Sequence, residues 1–121
     1  MKKILLIDDD MTFVAMIKAA LDPEKYSVTS AGNGIEGLER MEESKPDLIL
    51  LDIMMPKMDG MEFLKELNNK YGEGKTPVLI TSNLSSLDKI SEGVALGVRG
   101  YFIKSNESLN GIVGIIEGVF K

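Results

Sequence analysis

The chain has 121 residues, 14 of them basic and 19 acidic, and it contains neither cysteine nor histidine. It therefore cannot form a disulfide, a thiolate nucleophile, an imidazole base or a zinc–thiolate site, so its chemistry must use carboxylates, lysines, hydroxyls and at most a hard cation. The net charge of −5 argues against direct binding of nucleic acid or of an anionic membrane surface.

The N-terminus does not have the pattern of a targeting segment. After Met1-Lys2-Lys3, the apolar run 4–7 ends at three aspartates, whereas a secretory signal needs about 7–15 apolar residues. No stretch approaches the roughly 18 apolar residues of a membrane-spanning helix. We therefore expect a cytoplasmic protein that does not contact membrane, with residues 1–121 forming a single domain.

Five short apolar runs follow one another along the chain, and they predict five strands. They comprise residues 4–7, 26–29, 48–51, 77–80 and 100–103. Three of these runs lack polar alternation, which is typical of strands buried on both faces of a parallel sheet. Tyr26 and Val28 alternate with polar residues, which favours an edge position for the second strand.

Between the runs, apolar residues recur at the spacing of helices. The five stripes are Phe13, Ile17 and Leu21; Ile35, Leu38 and Met41 or Glu42; Met61, Leu64 and Leu67 or Asn68; Leu87, Ile90 and Val94; and Leu109, Val113, Ile116 and Phe120. Five strands alternating with five helices predict an open, doubly wound α/β fold with a parallel sheet. Sites in such folds form at the carboxyl ends of the strands.

The predicted strand ends carry residues suited to phosphoryl chemistry. Asp8, Asp9 and Asp10 follow the first strand. The third strand ends at Asp52, the fourth at Thr81 and the fifth at Lys104. Two carboxylates about 4 Å apart repel by on the order of 4 kcal/mol at an effective dielectric near 20, so positive charge must offset them. Lysine supplies part of it, and an all-oxygen ligand set favours Mg²⁺. Such a site can receive a phosphoryl group, with an aspartate as the nucleophile.

Four segments, taken in order, resemble the receiver domain of two-component response regulators. They are residues 4–10, 46–60, 77–82 and 97–104, and the block from Asp52 to Gly60 is the most specific. The likeness runs from about Lys3 to Phe120. It implies a flavodoxin-like (βα)₅ three-layer sandwich that serves as a phosphoryl-accepting signalling switch, which promotes its own phosphorylation and dephosphorylation but is not otherwise an enzyme.

The resemblance also implies a role for each acidic residue. Asp52 would be the phospho-acceptor. Asp9, Asp52 and the backbone carbonyl of Met54 would bind Mg²⁺ (or Mn²⁺) directly, and Asp8 would act mainly through water.

The remaining strand-end residues would read the phosphorylated state. Thr81 and Lys104 would contact the phosphoryl oxygens, and Tyr101 would change rotamer with Thr81. The response would then reach the surface formed by helix 4, strand 5 and helix 5. Pro56 and Gly60 would shape the loop after strand 3.

The resemblance also implies the partners, and because the chain contains no histidine, the phosphohistidine must belong to one of them. The phosphoryl donor would be the phosphohistidine of a histidine kinase or of a histidine phosphotransfer protein. The output would be an unidentified protein target or output domain, with phosphorylation-dependent homodimerisation as one route.

Three positions depart from the family pattern or tune it. Ser105 replaces the proline that usually follows the lysine in a cis bond, so we expect a trans or strained bond there. Met54 and Asn83 lie where the family tunes dephosphorylation, and an apolar Met54 predicts slow self-hydrolysis.

In helix 5, glycines 111, 114 and 118 are expected to face outward, which fits either a loose terminal helix or close approach by a partner helix.

Three other functions are alternatives to the switch. A haloacid-dehalogenase-like phosphatase would use Asp8 as nucleophile and Asp10 as acid/base, but it needs another acidic strand end after Lys104 and leaves the segment 52–60 unexplained. A mononucleotide-binding flavodoxin-like protein would need a phosphate loop where the three aspartates lie. A receiver-like interaction module that is never phosphorylated remains open.

Overall fold

The computed structural model describes residues 1–55, 57–83 and 87–121, with the backbone alone for residues 87 and 88. The strands are β1 (Lys2–Ile7), β2 (Tyr26–Ala31), β3 (Leu48–Asp52), β4 (Val78–Ser82) and β5 (Gly100–Ile103). The helices are α1 (Met11–Ala20), α2 (Gly34–Ser44), α3 (Gly60–Tyr71), α4 (Leu87–Ala95) and α5 (Leu109–Val119). A short 3₁₀ helix, Lys104–Asn106, follows β5.

The five strands form one parallel sheet in the order β2-β1-β3-β4-β5. The predicted five-stranded α/β fold is confirmed, and β2 lies at an edge as its polar alternation indicated. β3 and β4 are buried along their whole length, as is the second half of β1. Continuous apolar runs are required there because helices cover both faces of the sheet.

Alternate strand residues feed two separate cores, one on each face of the sheet. One core contains Leu5, Ile49 and Ile80 and is closed by side chains of α2, α3 and α4. The other contains Leu6 and Leu50 and is closed by α1 and α5. The molecule therefore has three layers, with the carboxyl ends of the strands along one edge.

Two residues of the predicted apolar stripes face solvent, although the stripes were predicted to face the core. Ile35 is 48% exposed and Val94 is 54% exposed. In both helices a glycine takes the inward position: Gly37 packs against Ile7, and Gly93 packs against Ile80. The backbone approaches the sheet so closely at these glycines that the adjacent apolar residues face outward. The stripe residue Leu87 has its side chain outside the described part of the chain.

Two of the three α5 glycines face outward, as the apolar spacing predicted. Gly114 and Gly118 are exposed, and a Cβ atom at either position would meet open space. Gly111 is partly buried and lies close to the side chains of Glu107 and Ser108. Among the helices of the described ranges, none combines the length and apolar character needed to cross a bilayer.

Candidate functional site

Three aspartates meet at the carboxyl edge of the sheet. The parallel pairing of β1 with β3 places Ile7 opposite Leu51, so the next residues, Asp8 and Asp52, emerge side by side. Asp9 lies on the solvent side. One carboxylate oxygen from each aspartate falls within 4.8 Å of the other two. The structure thus brings together the three carboxylates that the sequence proposed as a metal site.

Asp8 lies at the bottom of the cluster and is fully buried. Its Oδ1 accepts a hydrogen bond from the backbone N–H of Asp10 at 2.9 Å. Its Oδ2 lies 2.7 Å from Nζ of Lys104, which balances its charge, although the ammonium does not have hydrogen-bond geometry to it. A buried carboxylate without such a counterion would be strongly unfavourable.

Asp52 is 5% exposed and has weaker partners than Asp8. Its Oδ1 accepts from the backbone N–H of Met54 at 3.4 Å, and its Oδ2 lies 3.9 Å from Lys104 Nζ. Burial, and next the charge of Asp8, raise the pKa of Asp52 to about 7, while Lys104 and the Met54 N–H act in the opposite direction and Asp9 adds a smaller rise. The positive charge near Asp52 therefore does not cancel the effects that disfavour its ionised form.

Lys104 enters the site from the end of β5. Its peptide bond to Ser105 is trans, the first of the two alternatives expected from the missing proline, and its side chain is 20% exposed. Its Nζ lies over the ring of Phe13, 4.5 Å from the centroid. From the apolar spacing, Phe13 is predicted only as a core residue, because no spacing rule relates the first turn of α1 to the end of β5.

Thr81 lies directly beside Asp52 in the sheet, since these two residues are partners in the β3–β4 register. Thr81 is fully buried, and its Oγ1 finds no hydrogen-bond partner among the described residues. The next residue, Ser82, is equally buried, but its Oγ donates to the carbonyl of Asn83 at 2.9 Å. The Thr81 hydroxyl is therefore a buried donor at the site that is not used within the described chain.

Tyr101 lies on β5, one strand further from the cluster. It is paired in register with Ile80, the neighbour of Thr81, and its side chain is 52% exposed. The structure thus shows an outward ring on the strand adjacent to Thr81.

The loop after β3 is shaped by close packing at Gly60. A Cβ atom there would lie 2.5 Å from the Asp52 carbonyl oxygen, and the Gly60 N–H donates to the Ile53 carbonyl at 2.9 Å. Within this loop the left-handed backbone conformation is found at Lys57, which has φ of 62°. Pro56, the other residue expected to shape this loop, lies outside the described residues.

The donor set fits a hard divalent cation. Asp8, Asp9 and Asp52 offer carboxylate oxygens, which Mg²⁺ prefers. Lys104 is the cation that pairs with two of these three carboxylates. A divalent ion would neutralise the charge that raises the Asp52 pKa, so the electrostatics of the cluster agree with its ligand chemistry.

The family model described as "Response regulator receiver domain" matches residues 4–115. The match covers most of the chain, and the chain belongs to this family. This membership argues against the phosphatase alternative, which used Asp8 as its nucleophile.

Individual relatives agree with this assignment. The chain is 38% identical over 104 residues to the alkaline phosphatase synthesis transcriptional regulatory protein PhoP of Bacillus subtilis, which covers 85% of this chain and 42% of that protein. It is 34% identical over 103 residues to sporulation initiation phosphotransferase F of Bacillus subtilis, covering 85% and 82%. Among the transcriptional regulators it matches, the chain spans only 22% to 50% of their length.

Solved structures show the same fold. Chemotaxis protein CheY4 of Vibrio cholerae superposes with a TM-score of 0.86 at 29% identity, with 98% of both chains covered. A CheY-like receiver domain protein of Methanospirillum hungatei gives 0.85 at 26% identity, covering 98% of this chain and 92% of that one.

Proposed function

We propose that this receiver domain accepts a phosphoryl group on Asp52 from a phosphohistidine of a partner protein. One oxygen of the Asp52 carboxylate forms a bond to phosphorus as the phosphorus–nitrogen bond to the partner's imidazole breaks. The observation that carries the proposal is the juxtaposition of Asp52 with Asp8, Asp9 and Lys104 at one edge of the sheet. Of the two buried carboxylates, Asp52 lies further from the Lys104 ammonium, which suits a group that must gain new partners.

A Mg²⁺ or Mn²⁺ ion in this site would be held by Asp9, Asp52 and the backbone carbonyl of Met54, with Asp8 acting mainly through water. When bound, it supplies positive charge to the carboxylates and to the phosphoryl oxygens.

Two side chains of this chain would bind the phosphoryl group. Lys104 already contacts both buried carboxylates and can turn its ammonium toward a phosphoryl oxygen. Thr81 has a buried hydroxyl with no partner among the described residues, next to Asp52 in the register, and can donate to another phosphoryl oxygen. A phosphoryl group carries about two negative charges, so these contacts favour the phosphorylated state.

The same contact would operate the switch. When Thr81 turns toward the phosphoryl group, it vacates space that the ring of Tyr101 can enter from its present exposed position. The surface formed by α4, β5 and α5 would then change shape and bind its target or a second copy of the chain. The exposed glycines of α5 leave room on this surface for a partner helix to approach closely.

The side chain of Met54 would set how long the signal lasts. It is exposed beside Asp52 and offers no polar atom able to orient an attacking water as an amide could. We expect slow loss of the phosphoryl group, and replacement by glutamine should shorten the lifetime of the phosphorylated protein several-fold. An unchanged lifetime would contradict this role.

In this proposal the domain is a signalling switch rather than an enzyme acting on a separate substrate. Its donor is a histidine kinase or a histidine phosphotransfer protein, and its output is a protein target or an attached output domain. Relatives named as transcriptional regulators and as a sporulation phosphotransferase support both kinds of output. Because histidine kinases draw on ATP, the proposal includes a cytoplasmic location.

The test is incorporation of phosphate from a small acyl phosphate in the presence of Mg²⁺. Asp52→Asn should abolish it. Asp10→Asn is the matched control, because Asp10 lies outside the cluster and caps α1, a position where asparagine serves equally well. If the wild-type chain incorporates no phosphate from either a small donor or a phosphohistidine protein, the interaction-module alternative is correct.

A further inference from the structure

We infer that Phe13 positions the ammonium group of Lys104 for the phosphoryl group, through a cation–π contact with the face of its ring. This inference rests on the proposed function of Lys104. Its basis is a distance of 4.5 Å between Lys104 Nζ and the centroid of the Phe13 ring, well within the roughly 6 Å over which such contacts are attractive.

The contact lies in a partly dry environment, where it is strongest. Phe13 is buried in the core formed with α5 and β1, and four-fifths of the Lys104 side chain is buried. Cation–π attraction increases as the cation loses water. The aromatic ring thus balances part of the cost of holding an ammonium group at this depth.

The ring and the carboxylates together restrict where the ammonium can lie. Lys104 Nζ is 2.7 Å from Asp8 Oδ2 and 3.9 Å from Asp52 Oδ2, while the ring provides a third contact. The carboxylates alone would draw the ammonium toward Asp8, the closer partner. The ring adds an attraction that does not depend on either carboxylate, so it persists when Asp52 changes its charge and shape on phosphorylation.

The backbone beyond Lys104 provides little support for this side chain. Lys104 begins a 3₁₀ helix of three residues that has no side-chain cap, and the following Ser105 and Asn106 are exposed. By contrast, Phe13 is well fixed. The Asp10 side chain accepts hydrogen bonds from the N–H groups of Thr12 and Phe13 at 3.1 and 3.2 Å. Helix α1 therefore offers a rigid surface against which a long, flexible lysine can be held.

The kinetic test compares rates of phosphorylation by a small acyl phosphate with Mg²⁺. Phe13→Leu keeps an apolar side chain but removes the ring face, and we expect a rate about three- to tenfold lower. Phe13→Tyr keeps the ring face and should stay within about twofold of wild type. Phe120→Leu is the matched control, because Phe120 also lies under a lysine, Lys2, away from the carboxylate cluster, and it should leave the rate unchanged.

Pentafluorophenylalanine introduced at position 13 separates electrostatics from packing. It has nearly the shape of phenylalanine but lacks the negative ring face, so it should slow phosphorylation as leucine does. A rate equal to wild type for both Phe13→Leu and the fluorinated ring would overturn the inference. So would equal losses in Phe13→Leu and Phe120→Leu.

A second readout needs no phosphorylation. In NMR spectra of the unphosphorylated protein, the methylene protons beside the Lys104 ammonium should be shifted upfield by the Phe13 ring current. Phe13→Leu should remove this shift and Phe13→Tyr should retain it. If the shift is present but the wild-type chain takes up no phosphate, the proposed function fails and the placement of Lys104 stands; absence of the shift overturns the inference itself.

Discussion

The environment of Asp52 in the folded protein disfavours the ionised form of its carboxyl group. Burial and the neighbouring charge of Asp8 raise its pKa to about 7, and the partial compensation by Lys104 and the Met54 N–H does not cancel this effect. The folded protein therefore binds a proton at Asp52 more tightly than the unfolded chain, in which the pKa is near 3.8. The contribution of protonated Asp52 to the free energy of unfolding is fully present below about pH 4, and it is lost as the pH rises through 7.

The first prediction concerns the variant Asp52→Asn without divalent metal. Because asparagine removes the buried charge, the free energy of unfolding at pH 8 should rise by about 2–4 kcal/mol relative to wild type. The gain should shrink toward zero near pH 4. Urea unfolding across this range measures it. Asp59→Asn, which replaces the carboxylate that caps α3, is the control, and a gain of the same size and pH dependence there would contradict the explanation.

Thr81 carries a buried hydroxyl with no partner among the described residues. Valine has the same branched shape without the polar atom, so Thr81→Val should raise the free energy of unfolding by about 1 kcal/mol. The same variant should also uncouple the switch: Asp52 would still accept phosphate, but the NMR signals of the Tyr101 ring would no longer change on phosphorylation. Destabilisation, or a normal Tyr101 response, would show that the hydroxyl has another role.

At the scale of elements, the strand pattern could be predicted well because burial on both faces leaves continuous apolar runs. The helices were less predictable where glycine takes the inward position. Gly37 and Gly93 allow α2 and α4 to approach the sheet closely, and the apolar residues beside them, Ile35 and Val94, face solvent. A pattern of apolar spacing detects only residues with apolar side chains. It therefore cannot recognise a buried helix face whose inward residue is glycine.

The end of α2 provides a prediction at this scale. Lys45 caps the helix in the left-handed conformation with φ of 47°, a position that favours glycine. Lys45→Gly should therefore raise the free energy of unfolding by about 0.5–1 kcal/mol, measured by urea or thermal unfolding. Lys65→Gly, at an exposed position inside α3, should have the opposite effect, a loss of about 1 kcal/mol. Loss of stability in both variants would argue against strain at Lys45.

For the whole molecule, the common edge at which the strands end explains why the residues of the site could be predicted from the sequence. The parallel topology brings the ends of β1, β3, β4 and β5 to one edge, so residues far apart in the chain could be assigned to one site. The topology does not determine side-chain partners. The closer approach of Lys104 to Asp8 than to Asp52, and its contact with Phe13, depend on how α1 and the 3₁₀ helix pack. No local pattern encodes that packing.

Metal binding should stabilise the whole fold. A cation that binds the folded carboxylate cluster but not the unfolded chain adds about 1.4 kcal/mol for each tenfold increase in concentration above its dissociation constant. The thermal midpoint should therefore rise with Mg²⁺ concentration. Asp9→Asn, which changes the exposed member of the cluster, should weaken this rise, while Asp10→Asn should not. Equal responses in the two variants would place the ion elsewhere.

Locating the phosphoryl group shows directly whether Asp52 is the acceptor. Wild-type chain treated with a small acyl phosphate and Mg²⁺ should gain the mass of one phosphoryl group, and borohydride reduction of the acyl phosphate should convert the modified aspartate to homoserine. Peptide mapping is predicted to find homoserine at position 52 alone. Homoserine at position 8 or 9, or a mass gain that persists in Asp52→Asn, would contradict the assignment of Asp52 as the acceptor.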